Sequence, residues 1–129
     1  MALSDFELGW LVGILEGEGC FTATNKGKSP NIQLRMCDED IVYRAAAMIE
    51  RITGEPLNVY VEDKCSPGWA SSVRFRLYGW KAKKIMRLLV KHMGTRRRQR
   101  IWQLLNGHFI LKTDKPELPN ILQLMKKEV

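Results

Sequence analysis

Apolar and polar positions recur along the chain with two periods, and the switches between them mark its elements. From Ser4 to Glu18 the apolar residues follow a helical spacing. Ser4 and Glu7 fit the S-x-x-E capping box, and Asp5 and Glu7 place negative charge in the first turn, where the helix dipole favours it. From Cys20 to Lys26 the period drops to two, with Phe21 and Ala23 set against Cys20, Thr22, Thr24 and Lys26. A turn over 25–30 leads to a return strand in which Ile32, Leu34 and Met36 oppose Asn31, Gln33 and Arg35. Asp38 then reads as the N-cap of a second helix, striped by Ile41, Ala45, Met48, Ile49 and Ile52 and closed by Thr53-Gly54-Glu55-Pro56. In the second hairpin Leu57, Val59 and Val61 alternate with Asn58, Tyr60, Glu62 and Lys64. After Ser66-Pro67-Gly68, Val73, Phe75 and Leu77 alternate with Ser72, Arg74 and Arg76. Trp80 to His92 predicts a third helix, broken at Met93-Gly94-Thr95, and a fourth runs through Ile101, Trp102, Leu104 and Leu105. Beyond Pro116 and Pro119, a short helix with Ile121, Leu122, Leu124 and Met125 is expected to cover the core.

Two hairpins with matching apolar faces imply a four-stranded antiparallel sheet with helices on one side, an α+β fold of order α-β-β-α-β-β-α. The 129 residues suit one domain, with a core over about 4–112 and a tail over 113–129. A helix-first order without a glycine fingerprint argues against a Rossmann or P-loop unit. Neither a signal peptide nor an apolar run long enough to cross a membrane is visible, and no membrane partner is expected. Three cysteines, Cys20, Cys37 and Cys65, form no C-x-x-C pair and point to an intracellular, reducing compartment.

Charge changes the picture. The net charge of +7 is unevenly spread: residues 64–112 hold 13 basic and no acidic side chains, whereas residues 1–63 hold 5 basic and 11 acidic ones. So long a stretch without a carboxylate predicts a polyanionic partner, and basic residues on strands as well as helices favour nucleic acid over a membrane surface. The polar sheet face would carry Thr22, Thr24, Lys26, Asn31, Gln33, Arg35, Tyr60, Lys64, Arg74 and Arg76, interrupted only by Glu62. Arg reaches guanine and Gln or Asn reaches adenine in the major groove of double-stranded DNA. The Arg96, Arg97, Arg98, Arg100 cluster reads as phosphate-binding.

The first helix holds the remaining oddity. Gly9, Gly13 and Gly17 are four apart, each destabilising a helix by about 1 kcal/mol relative to alanine. They share one face, a bare groove that a second helix can approach closely. Two carboxylates, Glu16 and Glu18, end it. A tight helix pair would bring two copies of Glu18 together, which calls for a cation between them.

The run Leu11-Val12-Gly13-Ile14-Leu15-Glu16-Gly17-Glu18-Gly19 resembles the nine-residue signature of the LAGLIDADG homing endonucleases, with Glu at both positions where the family name has Asp. The resemblance covers roughly residues 4–112. It implies the family's fold, with a saddle-like sheet, and, because only one motif occurs, a homodimer joined through Gly9, Leu11, Val12, Gly13, Glu16 and Gly17. It also implies divalent-metal hydrolysis of both strands of a long, near-palindromic DNA site, in an intron or intein mobility context. Mg²⁺ is the implied cofactor, Mn²⁺ an alternative, and Ca²⁺ a non-catalytic substitute. Glu18 would hold metal together with the backbone carbonyl of Gly17. Asp38 corresponds to a polar residue near the scissile phosphates, although helix capping alone would explain it. Arg96, with Arg97 as its rival, corresponds to a basic residue that stabilises phosphate charge. The alternatives are a non-cleaving DNA-binding regulator or RNA-splicing maturase on the same fold, and a basic ribosome-associated protein binding through surface charge alone.

Overall fold

Helix α1 (Asp5–Glu18) starts at the expected capping box, in which the Glu7 amide donates to Ser4 Oγ at 3.1 Å and the Ser4 amide donates to Glu7 Oε1 at 3.0 Å. Its end is set by Gly19. Gly19 closes the helix in an extended conformation, φ −74°, rather than a left-handed one. Glycine is required there for space: a Cβ at residue 19 would lie 2.6 Å from the Leu15 carbonyl oxygen. The chain can therefore leave the helix directly into a strand.

The structure, a computed structural model, describes residues 2–24, 29–62 and 71–106. Lys26, Lys64, Cys65, residues 25–28, the second expected hairpin turn and the expected final helix lie outside the described residues, while Ser29 and Pro30, expected in the first turn, already pair with Thr24 and Ala23. After α1 come β1 (Gly19–Thr24), β2 (Ser29–Met36), α2 (Glu39–Thr53), β3 (Tyr60–Glu62), β4 (Ser72–Tyr78), α3 (Gly79–Leu89), a 3₁₀ turn at Val90–His92 and α4 (Thr95–Asn106). The strands form one antiparallel sheet in the order β1-β2-β4-β3. The fold is α+β with the predicted order, and the helices pack on one face.

Register explains the two faces. Cys20, Gln33 and Arg76 lie across from one another, as do Phe21, Ile32 and Leu77. The period of two therefore sends all the predicted apolar strand residues of β1, β2 and β4 toward the helices. Phe21, Ile32, Leu34, Val73, Phe75 and Leu77 join Leu11, Leu15, Val42, Ile49, Ile85, Met86, Leu89 and Ile101 in one buried core. Each such side chain, fully buried, stabilises the fold by about 1.5–3 kcal/mol. Helix α2 ends at Gly54 (φ +74°), whose amide donates to the Glu50 carbonyl at 2.8 Å.

Three expectations are corrected. Leu11 is fully buried in the core of its own chain, opposite the glycines, so it is not an interface residue. Val61 was expected to face the core but is 60% exposed, because β3 is a three-residue edge strand that reaches past the helices' cover. Asp38 occupies the N-cap of α2 but its side chain makes no capping hydrogen bond.

Helix α1 is held to α2 at two points. The Arg44 guanidinium lies 4.3 Å from the Trp10 ring centre, and Arg51 forms an ion pair with Glu7. The hydrogen bond from Arg51, helped by the Ser4 amide, lowers the Glu7 carboxyl from its ordinary 4.5 to about 2.

Candidate nucleic-acid interface and acidic centre

The β-ladder register places the proposed chemical groups at one end of the sheet. Gly19 at the start of β1 pairs with Leu34, two residues before the end of β2, and Met36 pairs with Val73 near the start of β4. Glu18 immediately precedes β1, and Asp38 follows β2 by two residues. Both carboxylates therefore flank the same sheet end, and both are exposed. Glu16 does not share their freedom: its Oε2 accepts the Gly94 amide at 3.3 Å, so it ties α1 to the turn before α4 instead of facing outward with the glycines.

The same turn delivers the arginines. The Arg100 Nε–H donates to the Phe21 carbonyl at 3.2 Å, and the Arg97 guanidinium lies 5.6 Å from the Phe21 ring centre. The Gly94–Glu16 bond and the Arg97 and Arg100 contacts to Phe21 hold the start of α4 against α1 and β1, and Arg96 is exposed there. Arg97 stands beside Phe21 on the helix side of the sheet, so it is not part of the polar sheet face. Positive side chains at a helix N-terminus oppose the dipole, and an approaching anion relieves that conflict.

On the polar face of the sheet, Thr22, Asn31, Gln33, Arg35, Arg74, Arg76 and Tyr60 all appear where alternation predicts them. Their side chains are bound to one another. Arg35 and Arg74 sit directly across β2 and β4, an arrangement of like charges that destabilises a sheet. Glu62 offsets it, with Oε2 2.9 Å from Arg35 and Oε1 2.5 Å from Arg74. Arg35 Nε also donates to Ser72 Oγ at 3.0 Å. The Arg76 Nε–H donates to Gln33 Oε1 at 2.9 Å, and a terminal nitrogen donates to the Tyr78 hydroxyl at 3.1 Å. Asn31 departs from expectation: it is 2% exposed, its Oδ1 accepts from Thr22 Oγ1 at 2.6 Å, and its amide nitrogen has no acceptor. It is a covered part of the sheet, unable to reach a base from this position. Thr24 is exposed near the opposite end of β1.

The outer face of α1 is bare at its three glycines and carries one large side chain, Phe6, at its N-terminal end. At 3.6 residues per turn, Phe6, Gly9, Gly13 and Gly17 fall within roughly 80° of one another, away from Leu11 and Leu15. A Cβ built at Gly9, Gly13 or Gly17 meets nothing within 4 Å. Beside them Asp5, Leu8, Gly9, Val12 and His92 line a recess of about 240 Å³.

Among the described residues no group of three or more His, Cys, Asp or Glu side chains is placed to hold a metal ion. What one chain offers is the Glu18 carboxylate and the Gly17 carbonyl. These are hard oxygen donors of the kind Mg²⁺ takes with several retained waters, and they make up a partial ligand set. Such a set fits a divalent ion shared with a second copy.

Two residues that belong with these surfaces were not predicted. Phe6 is 75% exposed on the glycine face, a position legible from its spacing of three and seven to Gly9 and Gly13. Tyr78 extends the Ser72, Arg74, Arg76 alternation by one more step on the polar face. None of the described helices is long and apolar enough to cross a membrane. Cys20 and Cys37 are free thiols.

No protein-family model and no curated protein matches the chain. Among solved structures, it resembles the homing endonuclease I-CvuI in complex with the I-CreI target in 2 mM Mg, with the DNA not cleaved. The identity is 11%, the alignment covers 95% of this chain and 94% of that one, and the TM-score is 0.55. A structure of I-CvuI with its own target in 2 mM Ca is 13% identical over 95% and 94% of the two chains, at a TM-score of 0.48. At this identity the likeness establishes a shared fold.

Proposed function

We propose that this protein is a homodimeric, site-specific DNA endonuclease that cuts both strands of a long, near-palindromic target with divalent metal. The observation that carries the reading is one juxtaposition. A helix face stripped of side chains runs down to an unencumbered carboxylate, Glu18, at the end of a sheet whose other surface is rich in arginine. Each feature is unfavourable or idle in an isolated chain, and together they are explained by a second copy and a nucleic acid.

Two α1 helices meeting at Gly9, Gly13 and Gly17, with Phe6 and Val12 at the margin, would set two copies of Glu18 side by side. Their mutual repulsion is relieved by a bound cation, which each Glu18 and Gly17 carbonyl would hold. When bound, Mg²⁺ supplies an activated water and neutralises charge on the leaving oxygen. The chain's own residues do the rest. Arg96 at the start of α4 would offset charge on the phosphate, with Arg97 anchored on Phe21 beside it. Asp38, whose side chain makes no capping hydrogen bond, would orient water at the same end of the sheet. Thr22, Gln33, Arg35, Arg74 and Arg76 present a hydrogen-bonding array to the major groove. Symmetry of the dimer requires two like half-sites.

The test is selection of cleaved sites from a random duplex library with Mg²⁺ and with EDTA. Discrete near-palindromic sites cut only with Mg²⁺ are expected. The Glu18→Gln protein should bind those sites with unchanged affinity and cut them at least a hundredfold more slowly, since a charge-stabilising group of this kind contributes on the order of 10²–10³ in rate. Binding without any Mg²⁺-dependent cleavage by the wild type would instead support the non-cleaving regulator.

A further inference from the structure

We infer a second binding site, for an unpaired nucleotide of single-stranded nucleic acid, in the recess at the β3–β4 edge. Strand β3 pairs with β4 only from Tyr60 onward, where Tyr60 faces Arg74. The chain before it, Pro56 to Val59, diverges and leaves the Arg76–Tyr78 half of β4 without a strand neighbour on that side. The gap is a recess of about 390 Å³ lined by Pro56, Leu57, Asn58, Tyr60, Arg74, Arg76, Tyr78 and Lys81. That is the scale of a small-ligand pocket.

Its chemistry is selective. Among the described residues two tyrosines and three cations line it, and no acidic side chain does. Tyr60, Tyr78 and the adjacent Trp80 are each half exposed or more, an unusual concentration of bare aromatic surface at one corner. Arg74 spends its charge on Glu62, but Arg76 is held only by the neutral Gln33 and Tyr78, and Lys81 lies 6.0 Å from the Trp80 ring. Neither Arg76 nor Lys81 has a carboxylate partner among the described residues. Aromatic faces with cations beside them are how proteins hold single strands, since every base has a π-face and every nucleotide a phosphate. A stacked duplex cannot insert a base there; a splayed or unpaired one can, with Asn58 and the tyrosine hydroxyls at hand for its edge. Arg74 and Arg76 border the sheet's polar face as well, so a strand seated in the recess continues onto it.

The test is fluorescence anisotropy of labelled oligo-dT and oligo-U in EDTA, with a hairpin duplex of equal charge as control. Wild-type protein should bind both single strands. Tyr78→Ala should weaken single-strand binding about tenfold, with Tyr78→Phe near wild type. Lys81→Gln should lower the single-strand salt slope by about 0.7 and leave duplex affinity unchanged. Circular dichroism checks each variant's fold, and Lys81→Gln decides if Tyr78→Ala unfolds. No single-strand binding by wild type, unchanged binding in folded variants, or equal losses on duplex and single strand would overturn the proposal. The readout needs neither metal nor cutting, so a chain that binds through Tyr78 yet never cleaves DNA removes the endonuclease reading alone.

Discussion

The outer face of α1 and the outer face of the sheet both point away from the core, and they are prepared for partners in opposite ways. On α1 the partner-facing positions have no side chains, so a second helix meets fixed backbone and nothing has to move. On the sheet every described arginine is already engaged, Arg35 and Arg74 by Glu62 and Arg76 by Gln33. A ligand there has to exchange one set of bonds for another. On the proposed reading the first surface would serve shape and permanence and the second discrimination, because only an anion in the right place would repay the release of Glu62.

Breaking the bare face should have the largest effect. Gly13→Leu leaves the monomer folded, since open space surrounds that position, and the helix should gain about 1 kcal/mol of intrinsic preference on losing a glycine. Sedimentation velocity should show monomer in place of dimer, with cleavage lost. By contrast, Gly19→Ala pushes a methyl against the Leu15 carbonyl and should destabilise the fold by about 1–3 kcal/mol in urea titration. Two glycines of one motif thus part company, one needed between chains and one within a chain.

On the sheet, Glu62→Gln should free two arginines. Duplex affinity should rise, the slope of log K against log salt should steepen by about 1–2, and discrimination between cognate and random DNA should fall. Unchanged salt dependence would show that Glu62 does not set the charge offered to DNA. The smallest effect belongs to the α1–α2 clasp. Because Glu7 is lowered to about 2 in the folded chain, the stability it contributes is complete above pH 4.5 and is lost as pH falls from 4.5 toward 2. Glu7→Gln should therefore be less stable at neutral pH and flatter across that acid window, measured by thermal melts against pH.

Elements governed by local rules were legible in the sequence. Ser4 and Glu7 cap α1 through three residues of spacing, and Phe21, Ile32, Phe75 and Leu77 fall on the buried side because strand residues alternate. What was not legible depends on which elements meet. Glu62 looks like an acidic interruption until register places it beside Arg35, 27 positions away in the chain. Leu11 shares a motif with Gly13 yet faces the opposite way, because two residues rotate a helix by about 200°, from the core side to the bare side. Asn31 fits the polar pattern, but Thr22 beside it and its near-complete burial take it out of contact.

The most direct measurement mixes wild type with Glu18→Gln, equilibrates the chains, and follows total strand cleavage, nicked and doubly cut products counted together, against the wild-type fraction at constant total protein. If two copies of Glu18 form one cutting centre, cleavage falls as the square of that fraction. A linear fall would mean that each chain cuts with its own acid, and would contradict the paired centre at the end of α1.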